Sequence, residues 1–317
     1  MTFQEVYIAL EVLVALACCL GNLLVVWAVF MNRSLRQPTF CFVGSLAVAD
    51  FLVGAVAIPV AILVDGKISS FYGCLFFSCV LLVLTQSSVL SMLAIAVDRY
   101  LRVHIPFRYK SIVTQRRSWV AVALCWFLAC ILGFTPFLGW HKPKKESQNS
   151  YGFRDVIDMS YMIYFNFFGC ILAPLVAMIL LYGHLFWSIR KHLQDNTASS
   201  RECSAYYLKE RNLAQSLALV LILFAICWLP LHAMNCIYYF DGKNQLFYVG
   251  ILLSHAHSAL NPIVYAFKIR KFQNAYLGIW RRYFLCRGEE GPQSEPSPDN
   301  LGSTSASRSD RMVGGGM

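Results

Sequence analysis

Long apolar stretches, separated by short polar segments, recur from residue 7 to residue 267. A helix needs about 20 mostly apolar residues to cross the hydrocarbon core of a bilayer. The pattern predicts seven such spans, at 7–30, 40–64, 74–98, 119–139, 161–187, 213–238 and 247–267. We therefore expect an all-α membrane protein whose fold is a seven-transmembrane helix bundle.

The segment after the seventh span has a different pattern. From Phe267 to Leu285, apolar residues recur at intervals of three or four between basic residues, which is typical of a short amphipathic helix in the membrane interface. Cys286 follows it and is a candidate palmitoylation site, with a plain reduced cysteine as the alternative. These features place residues 1–286 in one seven-helix domain that includes the interfacial helix. Residues 287–317 are rich in Gly, Ser, Pro and charge, which predicts a disordered cytoplasmic tail.

Composition and charge support a membrane protein. The chain is 57% hydrophobic and only 14% charged, against about 25% charged in a typical soluble domain. The net charge of +10 would suit nucleic-acid binding if it were spread over one surface. Instead, 21 of the 27 Lys and Arg residues lie in loops and a tail that are cytoplasmic if the N-terminus is extracellular. This asymmetry is the positive-inside rule, so we expect contact with membrane lipid and no nucleic-acid partner.

Polar side chains inside the spans form two layers. Asp50, Ser88 and Asn261 lie in the inner half of the predicted bundle. A second set lies in the outer half: Glu11, Thr85, Asn166, Asn235, Ser254 and His255. Ionisable and polar groups are costly in hydrocarbon, so two such layers predict a wet outer cavity above a hydrated charge site. For any single hydroxyl, a bond to the carbonyl one turn back is the alternative interpretation.

The third span ends in Asp98-Arg99-Tyr100, at the head of a basic segment. An acid and an obligate cation at the membrane boundary indicate a function at the inner face, because both charges must be paired or hydrated there.

These residues resemble the motifs of the rhodopsin-like (class A) G-protein-coupled receptors, in chain order over residues 7–286. The matching runs are Gly21-Asn22, Leu46–Asp50, Asp98–Tyr100, Trp126, Cys227–Pro230 and Asn261–Tyr265. Within that class the chain is similar to the adenosine receptors. The runs that carry this second resemblance are Leu84–Ser88, Leu93–Asp98, Thr135–Trp140, Tyr161–Phe168 and Leu253–His255.

The resemblance implies a nucleoside site in the outer half and no enzymatic activity. It implies that Asn235 hydrogen-bonds the adenine ring, that Phe153 stacks on that ring, and that Ser254 and His255 meet the ribose hydroxyls. Glu11 would orient His255 by a carboxylate–imidazole bond. The remaining residues of the implied site are Leu81, Thr85, Met162, Asn166, Trp228, Leu231 and His232.

Similar receptors hold a sodium ion below the ligand on an aspartate with polar neighbours. Asp50 and Ser88 match this pattern, but His257 stands where the pattern has Asn. Imidazole is a poor ligand for a hard cation that prefers oxygen, so His257 argues against sodium.

The resemblance also implies a switch at the inner face, in which Arg99 pairs with Asp98 and Glu210 until agonist and G protein separate them. The residues implied in the switch are Asp98, Arg99, Tyr100, Tyr182, Glu210, Asn261, Pro262 and Tyr265. The runs Leu101–Val103 and Ile189–Lys191 resemble subtypes that couple to inhibitory G proteins and lower cyclic AMP. Phe167–Cys170 is more similar to a stimulatory subtype, which remains the alternative. Arrestin and receptor kinases would bind the tail at the plasma membrane.

The second outer loop departs from the family. The family places there a Cys that bridges to the top of the third span, and Tyr151 occupies the matching position here. Cys74 therefore lacks its partner unless Cys236 reaches it. The acid that would bond the exocyclic amine of adenine is replaced by Arg154. An adenosine-receptor-like protein with weak or altered ligand binding is accordingly the alternative function.

Other classes fit the sequence less well. A light-driven pump or opsin needs a lysine in the seventh span, and 247–267 has none. An amine receptor would carry an acid near Leu81, and none occurs there. We find neither the repeated halves of a transporter nor the nucleophile and base of an enzyme.

Overall fold

The computed structural model describes residues 2–32, 35, 37–145, 148–195, 201–242 and 247–283. Six helices in this part of the chain are long and apolar enough to cross a membrane. Their bounds are α1 Phe3–Met31, α2 Pro38–Asp65, α3 Phe71–His104, α4 Gln115–Gly133, α5 Tyr161–Leu172 continued by Ala173–Asp195, and α6 Arg201–Asp241. The seventh predicted span is helix α7, Phe247–Lys268, which carries more polar residues and packs against α1 and α6.

Local sequence signals determine several helix boundaries. The hydroxyls of Thr2, Ser70 and Thr114 accept backbone N–H groups at the starts of α1, α3 and α4, so each supplies an N-cap. Helix α4 ends at Gly133 rather than at residue 139 as predicted, because Pro136 begins a separate 3-10 turn, Pro136–Leu138. At the inner ends, α3, α5 and α6 extend well beyond the predicted apolar spans, since a helix can continue into water after its apolar stretch ends.

Two deviations from α-helical geometry occur inside the spans. Helix α2 contains a π-helical turn at Val53–Ala57, and α5 begins with a π-helical segment at Tyr161–Leu172. Such turns change the direction in which later side chains point, and they are common near functional sites. Apolar periodicity alone gave no signal for either of them.

The core lies around α3, which packs against α2, α4 and α5. Gly133 allows the closest approach, because a Cβ there would lie 2.5 Å from a methyl of Val83. Trp126 Nε1 donates to Ser45 Oγ (3.0 Å), which in turn lies 3.0 Å from Ser91 Oγ. Helices α2, α3 and α4 are therefore joined by interhelical hydrogen bonds as well as by packing.

Two short elements complete the inner end, which contains Asp98-Arg99-Tyr100. A helix at Pro106–Ile112 links α3 to α4, and α8, Arg270–Tyr283, follows α7. Phe272 of α8 stacks on Tyr265 of α7 at 5.5 Å between ring centroids, which anchors α8 to the bundle. Helix α8 agrees with the predicted amphipathic helix. Cys286 and residues 287–317 lie outside the described residues, so the lipidation site and the tail stay predictions.

Candidate ligand-binding site and inner-face switch

The outer ends of α1 and α7 are joined by the predicted carboxylate–imidazole bond. His255 Nδ1 lies 2.8 Å from Glu11 Oε2, and Glu11 is 1% exposed. Glu11 Oε1 has no hydrogen-bond partner among the described residues. Glu11 therefore orients the imidazole through Oε2, and its Oε1 is still available as an acceptor beside it.

A stack of aromatic rings forms the floor and one wall of the outer half. His232 lies parallel to Phe167, with centroids 4.8 Å apart and planes 12° apart, and the Trp228 ring centroid lies 6.0 Å from that of His232. Both ring nitrogens of His232 are buried and have no partner within the described part of the chain. Leu81 and Leu231 are half-buried in the same half of the bundle. This set gives the apolar surface and spare polar groups that a heteroaromatic ligand requires.

Asn166 is held by a neighbour that the sequence analysis missed. Gln86 Nε2 donates to Asn166 Oδ1 (3.1 Å), and Asn166 Nδ2 contacts Met162 Sδ at 3.7 Å. Gln86 directly follows Thr85, so it lies on another face of α3, and helical spacing gave no reason to place it with the outer polar layer. Asn166 is 1% exposed, so it acts first as a link between α3 and α5.

The hydroxyl groups of the predicted site bond back to their own helices. Thr85 Oγ1 donates to Leu81 O (3.1 Å) and Ser254 Oγ donates to Ile251 O (2.7 Å). This is the alternative that the sequence left open for single hydroxyls. Asn235 is buried on α6, at 6% exposed, in the outer half of the bundle.

The second outer loop is held without a disulfide. Cys74 and Cys236 are both free thiols, so neither supplies the bridge. Tyr151 instead forms a two-bond backbone bridge with Ile68, at 2.9 and 2.8 Å. Its buried ring packs edge-on against Phe71 with centroids 5.4 Å apart, and its hydroxyl donates to Lys145 O (3.1 Å). Tyr151 thus attaches the loop to the start of α3 by noncovalent contacts.

Two residues follow that attachment point and face the outer ends of the bundle. Phe153 packs among apolar residues that include Met162 and Tyr238. The Arg154 guanidinium carbon lies 4.1 Å from the ring centroid of Tyr238 and 3.9 Å from that of Phe247. Burial lowers the pKa of Arg154, and neighbouring Tyr238, Tyr248 and Asp65 partly offset that effect. Arg154 therefore bridges the loop to the outer ends of α6 and α7.

The inner polar layer is centred on Asp50, which is fully buried. Ser258 Oγ donates to Asp50 Oδ1 (2.8 Å) and Asn261 Nδ2 donates to Asp50 Oδ2 (2.6 Å). Ser88 Oγ donates to Leu84 O at 3.3 Å. Ser258 and Asn261 are on α7, and Ser88 of α3 is a further hydrogen-bonding neighbour of Asp50. Ser258 was not in the predicted ion site.

His257 lies apart from this carboxylate. Its ring packs edge-on against Phe224 of α6, with centroids 5.3 Å apart and planes at 82°. No hydrogen bond or ion pair between His257 and Asp50 occurs in the described residues. The described residues also contain no group of three or more His, Cys, Asp or Glu able to hold a metal. Asp50 has oxygen-bearing neighbours, but its two oxygens already accept hydrogen bonds.

A buried charge network closes the inner end. Arg99 Nη2 lies 2.6 Å from Asp98 Oδ2, and Arg99 Nη1 lies 3.0 Å from Glu210 Oε2, as the resemblance implied. Arg102 Nε adds a second contact to Glu210, 3.0 Å from Oε1. Thr39 and Tyr109 hydroxyls each donate to Asp98 at 2.6 Å. None of these three partners was predicted from the sequence, although Arg102 lies three residues after Arg99 on the same helix.

The other switch residues surround this network. Tyr182 and Tyr265 line one small cavity between α3, α5, α6 and α7. Pro262 is buried in α7 and packs against Gly21 of α1. Tyr100 stacks on His104, with centroids 4.0 Å apart, and points towards α5 rather than into the network. The arrangement joins α3 to α6 through Glu210, and its charges must separate if the two helices move apart.

The fold and the charge network define a seven-transmembrane receptor, which is a multi-pass membrane protein. A family model described as "7 transmembrane receptor (rhodopsin family)" matches residues 21–265. Adenosine receptor A3 of Ovis aries is 47% identical over 289 residues, which is 89% of this chain and 91% of that receptor. Adenosine receptor A3 of Canis lupus familiaris is 48% identical over 297 residues, 91% of this chain and 95% of that receptor. The chain belongs to the adenosine receptor family, which is a family of receptors and not of enzymes.

Proposed function

We propose that this chain is a plasma-membrane receptor for adenosine that activates inhibitory G proteins and thereby lowers cyclic AMP. Its N-terminus would be extracellular and its C-terminus cytoplasmic, as the distribution of Lys and Arg favours. The observation that carries the proposal is the Glu11–His255 pair at 2.8 Å, in the outer half of a bundle whose family relatives are named for adenosine.

The chemistry of the outer site suits a nucleoside. The side-chain amide of Asn235 has both a donor and an acceptor, so it can form two hydrogen bonds with a purine edge. Phe153 supplies an aromatic face for stacking, and the oriented imidazole of His255 is available to a ribose hydroxyl. Thr85 and Ser254 would have to exchange their bonds within the helix for bonds to the ribose.

The inner network supports a two-state switch. The ion pairs of Arg99 and Arg102 with Glu210 favour the closed state, in which α3 and α6 lie together. A ligand that binds the separated state more tightly shifts the population towards it, and a G protein on the inner face does the same. Coupling to the inhibitory class rests on Leu101–Val103 and Ile189–Lys191. Arrestin and receptor kinases would act on the tail.

The test is a cyclic AMP assay in cells that express the full chain. Adenosine should lower forskolin-stimulated cyclic AMP, and pertussis toxin should abolish that response. A rise in cyclic AMP that is insensitive to pertussis toxin would support the stimulatory alternative and contradict inhibitory coupling. Untransfected cells serve as the control for receptors already present in the cell line.

A second candidate function is favoured by Arg154. A guanidinium has only donors, so it cannot accept a hydrogen bond from the exocyclic amine of adenine. The chain would then bind adenosine weakly and another nucleoside or nucleotide better. A sodium ion, the cofactor implied by Asp50 and Ser88, is a weaker proposal, because His257 supplies a ring nitrogen where the family pattern has the amide oxygen of Asn.

A further inference from the structure

The free edge of Arg154 is an unassigned feature of the outer mouth. Its Nε and Nη2 atoms are buried and have no hydrogen-bond partner among the described residues. A buried donor without a partner destabilises the protein, and a charged donor does so more strongly. An anion at that edge would relieve this destabilisation.

The identity of the two free atoms points to the shape of the anion. Nε and Nη2 lie on the same edge of the guanidinium plane and donate in parallel, which matches the two oxygens of a carboxylate. The rings of Tyr238 and Phe247 contact the guanidinium at 4.1 and 3.9 Å and hold it in place. The edge is therefore oriented before a ligand arrives, which lowers the entropic cost of binding.

The chain itself does not supply the missing carboxylate in the described residues. Burial lowers the pKa of Arg154, and Asp65 is close enough to offset that effect in part. The carboxylate of Asp65 instead accepts from the Tyr248 hydroxyl, at 3.4 Å from each oxygen. Asp155 is used as well, because its Oδ2 accepts from Gly152 N at 2.9 Å. Lys142 Nζ donates to Arg154 O (2.9 Å), which adds positive charge at the same place.

The position of Arg154 connects this edge to the proposed nucleoside site. Tyr238 lies three residues after Asn235 on α6, so it is about 4.5 Å further along the helix axis on the same side. Arg154 also directly follows Phe153, the proposed stacking residue. A ligand group that leaves the purine edge at Asn235 and points outward along α6 is therefore directed towards Arg154, which packs on Tyr238.

We propose that the preferred ligands of this receptor are purine nucleosides that carry a carboxylate on a short arm at the purine edge facing Asn235, with Arg154 binding the carboxylate through Nε and Nη2. This inference rests on the proposed nucleoside site and names the ligand class of that site. Arg154 would be a specificity-determining residue that favours acidic ligands over adenosine.

The experiment compares two analogues of equal size on membranes of cells that express the full chain. One is adenosine with a carboxymethyl group on its exocyclic nitrogen, and the other is the corresponding carboxamide. Displacement of a radiolabelled adenosine analogue gives the affinity of each. We expect the acid to bind at least about tenfold more tightly than the amide, because a charged bidentate pair replaces neutral contacts.

Three variants test whether Arg154 causes the preference for the acid. Arg154→Gln should abolish it, and Arg154→Lys should retain only part of it, since an ammonium lacks the bidentate edge. Lys144→Gln is the matched control, because it removes one exposed cation from the same loop and should leave the preference unchanged. Equal affinities of acid and amide for the unmodified chain would overturn the proposal, as would a preference that survives Arg154→Gln or disappears in Lys144→Gln. Adenosine binding with no preference for the acid contradicts only this proposal, whereas no binding of any nucleoside contradicts the receptor function as well.

Discussion

His257 shows how one residue alters the chemistry of a buried site. The carboxylate of Asp50 accepts from Ser258 and Asn261, both on α7, while His257 turns towards Phe224 on α6. A sodium ion at Asp50 would need oxygen ligands, and an imidazole supplies a nitrogen in place of the amide oxygen of Asn. The local geometry thus satisfies Asp50 with protein donors.

We predict that sodium has little effect on agonist binding to this receptor. Agonist affinity should stay the same when potassium is replaced by sodium at constant ionic strength. The variant His257→Asn restores an amide oxygen and should make affinity fall as sodium rises. The measurement is agonist displacement of a radioligand in both salts, and a steep sodium-specific fall in the unmodified chain would refute the prediction.

Among the connecting elements, the second outer loop depends on Tyr151. Its backbone bridge to Ile68, its ring on Phe71 and its bond to Lys145 O replace the covalent link that related loops use. A disulfide typically contributes about 2–5 kcal/mol. Deleting a buried aromatic ring costs about 3–5 kcal/mol, so the noncovalent attachment is of similar size.

We predict that Tyr151→Ala weakens nucleoside binding, because Phe153 and Arg154 lose their fixed position. Tyr151→Phe is the matched control, since it keeps the ring and loses one hydrogen bond, which is worth about 1 kcal/mol. Dithiothreitol should leave the affinity of the unmodified chain unchanged. Loss of binding in dithiothreitol, or equal affinities of the Ala and Phe variants, would show that Tyr151 does not anchor this loop.

The contact between α3 and α6 is concentrated on Glu210, which two arginines share at 3.0 Å each. Removing one partner of a buried ion pair costs about 3–5 kcal/mol. Removing the Glu210 charge would therefore destabilise only the closed state, because Glu210 and the two arginines are already apart when α3 and α6 separate.

We predict that Glu210→Gln raises signalling without agonist. The readout is basal nucleotide exchange on the G protein, normalised to receptor at the cell surface. Asp241→Asn, at the exposed outer end of α6, is the control and should leave basal exchange unchanged. Basal activity in Glu210→Gln equal to that of the unmodified receptor would mean that this network does not hold the closed state.

The helices and the charged pairs were predictable to different degrees from the sequence. Apolar length predicted all seven spans, whereas the Glu11–His255 pair and the Arg99–Glu210 pair were expected only from the family resemblance. The end of α4 was wrong because hydropathy continues through Pro136 although the helix does not. Thr39, Gln86 and Tyr109 were missed because their roles depend on which helices become neighbours. The orientation of the Arg154 guanidinium could not be predicted either, because it depends on packing against rings from α6 and α7.

At the scale of the whole molecule, two polar centres lie at opposite ends of one helix bundle. Helix α6 takes part in both, with Asn235 near its outer end and Glu210 near its inner end. Helix α7 likewise carries His255 in the outer half and Asn261 on Asp50. A ligand that repositions the outer part of α6 would therefore act on the same helix that the inner network holds, and Pro230 lies inside that helix between the two centres.

Nucleoside binding to Asn235→Ala, compared with binding to the unmodified chain, is the decisive test of the outer ligand site. Radiolabelled adenosine analogue is titrated onto membranes, and surface labelling confirms equal expression. We predict saturable binding to the unmodified chain and loss of that binding in Asn235→Ala. Without the amide, the purine edge is left unpaired in a dry site. Unchanged affinity in Asn235→Ala, or no saturable nucleoside binding to the unmodified chain, would contradict the assignment of the outer site.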